Sequence, residues 1–365
     1  MLRKTRLKFV KFLFFLLLFV KIILFFSIKF YYKILYIGGV EAGNDSIYYH
    51  LYAIGAVDHA VNLWPVILRF LNSYGFYNRD YVSIFLFTTS VFFLPFAVAS
   101  LVRDNRYIVT GELNKFVYWI ISFVILIYPT IFFLSLDIYR DIAMYSFFCI
   151  FLLFVKHILL WKKYIYIILL LPSGYILYMF RPYLGFSLGC AFFFFKLNTK
   201  RVLVLIPAYL IFIFMLKISG YLDPILMYRG EEGFETGGSS FGIGLLYSDN
   251  LTFMYLYIYS ILIQLFGLIF NNWKAVAVFA TESFIFILFF IYVVRNIKYT
   301  TPFLEYIAFF FVIYGSIWCL GNDNLGTAVR LRVFNYISIY VMAGTIYLEK
   351  ETVKKENYLI SRQTA

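Results

Sequence analysis

The stretch FVKFLFFLLLFVKIILFFSIKFYYKILY, residues 9–36, decides how this chain is read. It follows the basic start MLRKTRLK and stays apolar for longer than the roughly 20 residues that cross a bilayer. A secretory signal has the same order of parts, but its apolar region spans about 7–15 residues and closes on small residues at a cleavage site. Residues 9–36 have no such close, so they read as an uncleaved first transmembrane helix whose basic start lies in the cytoplasm. Lys21, in its middle, reads as a lysine that faces the helix bundle or snorkels.

The same texture continues along the chain. Hydrophobic residues make up 63% and charged residues 14% of the sequence, against about 25% charged in soluble domains, too little polar surface to cover a water-facing globule. The formal charge of +13 is spread through short breaks between apolar blocks rather than gathered in one polar domain. That is how Lys and Arg mark cytoplasmic loops in membrane proteins, and it sets nucleic acid aside as a partner. Cys149, Cys190 and Cys319 sit inside apolar blocks without metal-ligand spacing and read as small buried hydrophobes. His50, His59 and His157 have no ligand spacing either, so neither a metal nor a cofactor is expected.

Apolar blocks near residues 12–32, 81–102, 116–134, 142–160, 164–180, 183–195, 202–217, 276–294, 303–320 and 333–348 give ten expected crossings. A full crossing by the block at 253–270 would put Arg295, Lys298 and the basic tail outside, against the charge bias, so that block reads as a re-entrant or interfacial helix. The expectation is an all-α integral membrane protein. Residues 1–348 form one polytopic domain with outer loops near 38–80 and 219–250, and residues 349–365 a frayed cytoplasmic tail. Within the first loop, WPVILRFL at 64–71 suits a short helix at the membrane interface.

Chemistry then belongs to the outer charges. Arg140, Arg181, Arg229, Arg330 and Arg332 fall at the ends of separate outer segments, where positive-inside bias disfavours arginine. An anionic ligand explains them, since guanidinium binds phosphate bidentately and stays charged; pairing with nearby carboxylates or lipid headgroups is the plainer account. Asp45 with His50, and Asp141, are candidates to accept a proton from a reacting hydroxyl, with loop stabilisation as the alternative. Glu282, one turn into an apolar span, points to function or to a buried partner.

Four segments, in chain order, carry a resemblance. GNDSIYYHLYAIG (43–55) resembles the acidic first outer loop of multispanning glycan polymerases and lipid-dependent glycosyltransferases. YPTIFFLSLDIYRD (128–141) and the Arg-Pro-Tyr turn FRPYLG (180–185) are similar to their recurrent motifs. GNDNLGTAVRLR (321–332) resembles the Asn-x-Gly-Thr-Ala-x-Arg-x-Arg segment before the last span. The chain thus resembles O-antigen polymerases of the Wzy type, and departs from related enzymes at FGLIFNNW (266–273), where a Pro-Phe-Pro-Trp stretch is expected.

The resemblance implies a GT-C-like architecture in the bacterial inner membrane, with both termini cytoplasmic. It also implies undecaprenyl-pyrophosphate-linked oligosaccharides as substrates, joined at the periplasmic face without a metal. A chain-length regulator and a flippase are the further expected partners. In that picture the five arginines hold the pyrophosphate, and Asp45, His50 or Asp141 takes the acceptor proton. A transferase adding one sugar from a polyprenyl-phosphate donor is the alternative. A lipid-oligosaccharide transporter is the non-enzymatic one, disfavoured because few charges lie near mid-membrane.

Overall fold

The computed structural model describes residues 2–31, 44–103, 111–195, 202–231, 240–270 and 273–363. Residues 38–43 of the first loop with Glu41, the cluster Asp104, Asn105 and Arg106, the basic Lys196, Lys200 and Arg201, residues 232–239 of the second loop, and Asn271 and Asn272 lie outside them. The described residues are mostly helical, with no strand and one isolated bridge between Ser240 and Asn324. Six helices are long and apolar enough to cross a membrane, or eight if each of two sharply bent helix pairs is one span. Tyr164–Phe180 and Pro182–Phe194, expected as crossings, are apolar but shorter than the roughly 20 residues that span a bilayer without distortion. The chain divides into two compact units, Met1–Gly185 with Gly344–Ala365, and Phe186–Ala343.

The first unit holds α1 (Leu2–Phe26), α2 (Asn44–Ala53), α3 (Leu63–Ser73), α4 (Arg79–Thr88), α5 (Leu94–Val102), α6 (Gly111–Ile127), α7 (Pro129–Ser135), α8 (Arg140–Trp161), α9 (Ile167–Phe180) and the start of α10 (Pro182–Phe194). A π-turn, Thr89–Phe93, joins α4 and α5 into one span. Phe14, Leu18 and Phe25 of α1 pack with Phe87, Val91 and Leu126, and the Phe25 and Phe87 rings stack at 4.0 Å.

The block expected as the third span, near 116–134, is broken by 59° between α6 and α7. Proline disfavours helical backbone at the residue before it, and Tyr128 accordingly has ψ 111, while Pro129 opens α7 where its missing N–H costs nothing. Lys21 answers this break. Its Nζ donates to the Tyr128 carbonyl at 3.3 Å and lies 5.1 Å from the Phe132 ring, so its charge meets the negative end of α6. The mid-helix lysine therefore faces the bundle.

The second unit holds the rest of α10, α11 (Val202–Ile218), α12 (Asp223–Glu231), α13 (Asn250–Gln264), α14 (Trp273–Val278), α15 (Phe284–Arg295), α16 (Pro302–Gly321) and α17 (Leu325–Gln363) as far as Ala343. The bend between α11 and α12 is 81°, with Gly220 at φ +76 in the turn, a backbone geometry that glycine takes without a Cβ penalty. Another π-turn, Phe279–Ser283, joins α14 to α15 and carries the fully buried Glu282 and Ser283. Such turns recur at functional sites because the extra residue re-aims side chains.

The tail expected to fray is instead the end of α17, helical to Gln363. From Glu349 to Gln363 it has no glycine or proline, and Lys354 pairs with Glu351 one turn away at 2.7 Å.

Candidate functional site

In the first unit the site forms around LDIYRD. Between α7 and α8 the chain leaves helical geometry while remaining buried: Leu136, Asp137, Ile138 and Tyr139 are each under a tenth exposed. The turn delivers Arg140 and Asp141 as the first two residues of α8. Arg140 is half-buried and its Nη1 donates to the Phe180 carbonyl at 3.1 Å. Arg181 follows directly, 5% exposed at the break between α9 and α10, with its guanidinium 5.6 Å from the Tyr183 ring. The break is tight because Gly185 lies against the Tyr178 backbone, where a Cβ would sit 2.6 Å from the Tyr178 Cα. Arg140, Asp141 and Arg181 are thus brought into one neighbourhood, and Asp141 is fully buried at a helix start, where the macrodipole favours a negative charge.

Asp45 and His50 both lie on α2, five residues apart, so their side chains leave the axis about 140° from one another. His50 turns to Tyr77, with 2.9 Å between Nδ1 and the phenol oxygen. Beside them Arg79 holds Asp137 through two bonds, Nε to Oδ1 at 2.9 Å and Nη2 to Oδ2. Burial, and then the Arg79 cation, push the His50 imidazole below its ordinary 6.5 against the opposing pull of Asp137. The Tyr77 phenol, pushed up to about 12 chiefly by burial, keeps its proton.

A histidine whose folded pKa lies below its unfolded value binds fewer protons when folded. Its contribution is complete above 6.5 and is lost as the pH falls below that value. The purified protein in detergent is therefore expected to melt earlier at about pH 5.5 than at about pH 7.5, and His50→Gln to flatten that difference. An undiminished difference in His50→Gln would assign the pH response to other groups.

In the second unit Arg229 and Arg332 are committed to carboxylates. Arg229 and Asp323 form an ion pair with both side chains fully buried, and Arg229 also donates to the Cys319 and Leu320 carbonyls at 3.3 and 3.2 Å. Asp323 gathers the second loop as well, accepting from Ser240 Oγ at 2.8 Å and from the Gly242 N–H at 2.9 Å. Arg332 pairs with Glu282 at 2.9 Å, again nearly without exposure. Arg330 is half-buried in the second turn of α17. Gln264 links Ser260, the Asn322 carbonyl and the Cys319 carbonyl at 2.6–3.3 Å. Tyr209 bonds to both Tyr257 and Ser316.

Sequence reasoning named Glu282 but not its partner, and passed over Asp137, Gln264 and Asn322 as sites. Their signal was a polar residue inside or beside an apolar block, costly there unless satisfied. Among the described residues, no group of three or more His, Cys, Asp or Glu is placed to hold a metal ion. Comparison with family models, with curated proteins and with solved structures found no match for this chain.

Proposed function

We propose that the chain is an O-antigen-type polymerase that joins undecaprenyl-pyrophosphate-linked oligosaccharide units at the periplasmic face of a bacterial inner membrane. One contact carries the reading: Arg140 reaches the carbonyl beside Arg181 across 40 residues of sequence. Two of the segments that resemble the polymerases therefore meet, one carrying Arg140 with the buried Asp141 and the other carrying Arg181, each at a helix break.

In this reading Arg140 and Arg181 hold the donor pyrophosphate. Their charges act from a partly dry site, where preorganised cations stabilise a leaving anion far more than they do in water. The acceptor hydroxyl oxygen attacks the anomeric carbon of the donor, the bond from that carbon to the pyrophosphate oxygen breaks, and the lipid pyrophosphate leaves with the electron pair. The hydroxyl proton goes to a base, and His50 suits it best of the three candidates because burial keeps its imidazole neutral near pH 7. Arg229 and Arg332, already balanced by Asp323 and Glu282, are assigned to holding helix breaks rather than substrate. Arg330 remains a ligand candidate on its motif alone.

The GT-C-like topology of this reading counts each bent pair and each of the two shorter apolar helices as one crossing, giving ten, with α13 re-entrant and both termini in the cytoplasm. Chain-length regulator and flippase are the expected partners in the same membrane.

Deleting the gene in its source strain is expected to collapse the lipopolysaccharide ladder to core plus one repeat. Wild type restores the ladder, Arg181→Lys restores it in part, and Arg181→Ala, present in the membrane at normal abundance, does not. A ladder that survives deletion would overturn the polymerase reading.

A further inference from the structure

The turn that delivers Arg140 and Asp141 is buried, irregular backbone, and such backbone is tolerated at membrane depth only where protein groups satisfy it. Here the satisfying groups are side chains from two other helices. Ser83 Oγ of α4 donates to the Leu136 carbonyl at 2.9 Å. Arg79, at the start of the same helix, holds the Asp137 carboxylate in its fork, while Asp137 Oδ1 also accepts the Ile138 N–H at 2.8 Å. Trp64 Nε1 of α3 donates to the Ile138 carbonyl at 2.7 Å. Three successive turn residues are thus each gripped by one side chain from outside the turn.

Trp64 does more than close one bond. Its ring lies 6.4 Å from that of Phe180, whose carbonyl receives Arg140. One indole therefore touches both segments that carry the candidate arginines. It is held there in turn: Asn62 Oδ1 caps α3 by accepting the Trp64 N–H at 3.0 Å, and the side chain is 6% exposed.

We propose that Trp64, Arg79 and Ser83 are positioning residues that fix the 136–138 turn, and so set where Arg140 and Asp141 stand relative to the Arg181 break. The proposal rests on the pyrophosphate reading of that site. None of the three is placed to touch substrate; Trp64 and Ser83 act through the turn's carbonyls, and Arg79 through the Asp137 carboxylate. A displacement of about 1 Å in a site of this kind costs on the order of a hundredfold in function, so loss of a single grip is expected to show.

The test uses the full-length protein in detergent, with inorganic pyrophosphate as the probe and two readouts for wild type, Trp64→Phe, Arg79→Lys, Ser83→Ala and Arg140→Ala. The first is amide hydrogen exchange in the peptide covering the turn; the second is pyrophosphate affinity by calorimetry. Trp64→Phe keeps the ring but loses the N–H. It is expected to speed exchange in the turn and weaken pyrophosphate about tenfold, with exchange elsewhere unchanged. Arg79→Lys, which keeps the charge and loses the fork, and Ser83→Ala are expected to follow at smaller size.

Faster exchange with unchanged affinity would make the grip merely structural and overturn the proposal. Unchanged exchange in all three variants would overturn it too. If wild type ignores pyrophosphate, or Arg140→Ala binds it as well as wild type, the pyrophosphate reading itself falls, and the positioning role with it. The exchange data would still show whether the turn is gripped, so the two failures are told apart. A variant too unstable to purify is replaced by the others in the set, since the three grips come from different residues.

Discussion

Asp323→Ala is expected to destabilise the protein by about 3–5 kcal/mol, the cost of leaving a buried charge without its partner. Arg229 and Asp323 are both fully buried, so neither charge has water to fall back on when the other is removed. The two residues are not equivalent, however. Asp323 also accepts from Ser240 Oγ and from the N–H groups of Gly242 and Ile243, so its loss removes several loop contacts at once. Removing Arg229 leaves a carboxylate that still has those donors.

The order of melting temperatures in detergent is therefore wild type, then Arg229→Met, then Asp323→Ala. The double variant Arg229→Met with Asp323→Asn has no buried net charge and keeps an acceptor for the loop. It is expected to melt above Asp323→Asn alone, with a coupling of about 0.5–3 kcal/mol. A double variant no better than Asp323→Asn would mean the pair contributes nothing beyond its separate residues.

That pair also marks the limit of what the sequence told. Hydropathy placed helix ends well where a span is straight: the expected 142–160 and 303–320 are Arg140–Trp161 and Pro302–Gly321 in the structure. It passed over the break at Pro129 because a window average still reads high across a kink. The proline was in plain view, but the pattern gave no weight to the backbone of Tyr128 before it. The tail was misjudged for the opposite reason. Its charge suggests fraying, yet Glu, Lys and Gln propagate helices well.

The candidate site was legible as residue types and illegible as partnerships. Arg140, Asp141 and Arg181 were named from their positions, but that Arg140 would reach Phe180 depends on packing, which no local pattern encodes. The positions of Arg229 and Arg332 leave open an outside anion or a carboxylate of the chain itself as their partner. Their carboxylate partners lie 94 and 50 residues away in sequence. A buried guanidinium needs a counter-charge, and the sequence says only that one is required, not whether the protein or the substrate supplies it.

Gly267→Ala is the second large effect expected, and it falls in FGLIFNNW, the stretch where a Pro-Phe-Pro-Trp segment is expected if the proposed polymerase reading holds. Gly267 stands in FGLIFNNW at φ +65, a conformation that costs an alanine about 1–2 kcal/mol. Beyond that strain, a Cβ built there would meet Ser283 Oγ and the Arg332 guanidinium closer than 3.0 Å, which real Cβ atoms do not do. Neither neighbour is at liberty to move. Ser283 ends the π-turn and bonds to the Tyr336 hydroxyl at 3.1 Å, Tyr336 stacks on Phe286 at 3.9 Å, and Arg332 is held by Glu282. The Tyr336 hydroxyl in turn donates to the Leu265 carbonyl at 2.8 Å, so the strand of contacts returns to the segment that carries Gly267. The variant must shift either that segment or a buried ion pair, and a total loss of about 3–5 kcal/mol follows. Gly75→Ala is the control, since Gly75 has φ +74 and nothing within 4 Å of its would-be Cβ, so it reports strain alone. Melting in detergent is expected to fall much further for Gly267→Ala than for Gly75→Ala. Adding Ser283→Ala to Gly267→Ala is expected to recover part of the difference by removing one of the two obstructing atoms. Equal losses in the two single variants would mean that the glycine serves the turn's backbone only, and that the segment does not rest on the Arg332–Glu282 pair.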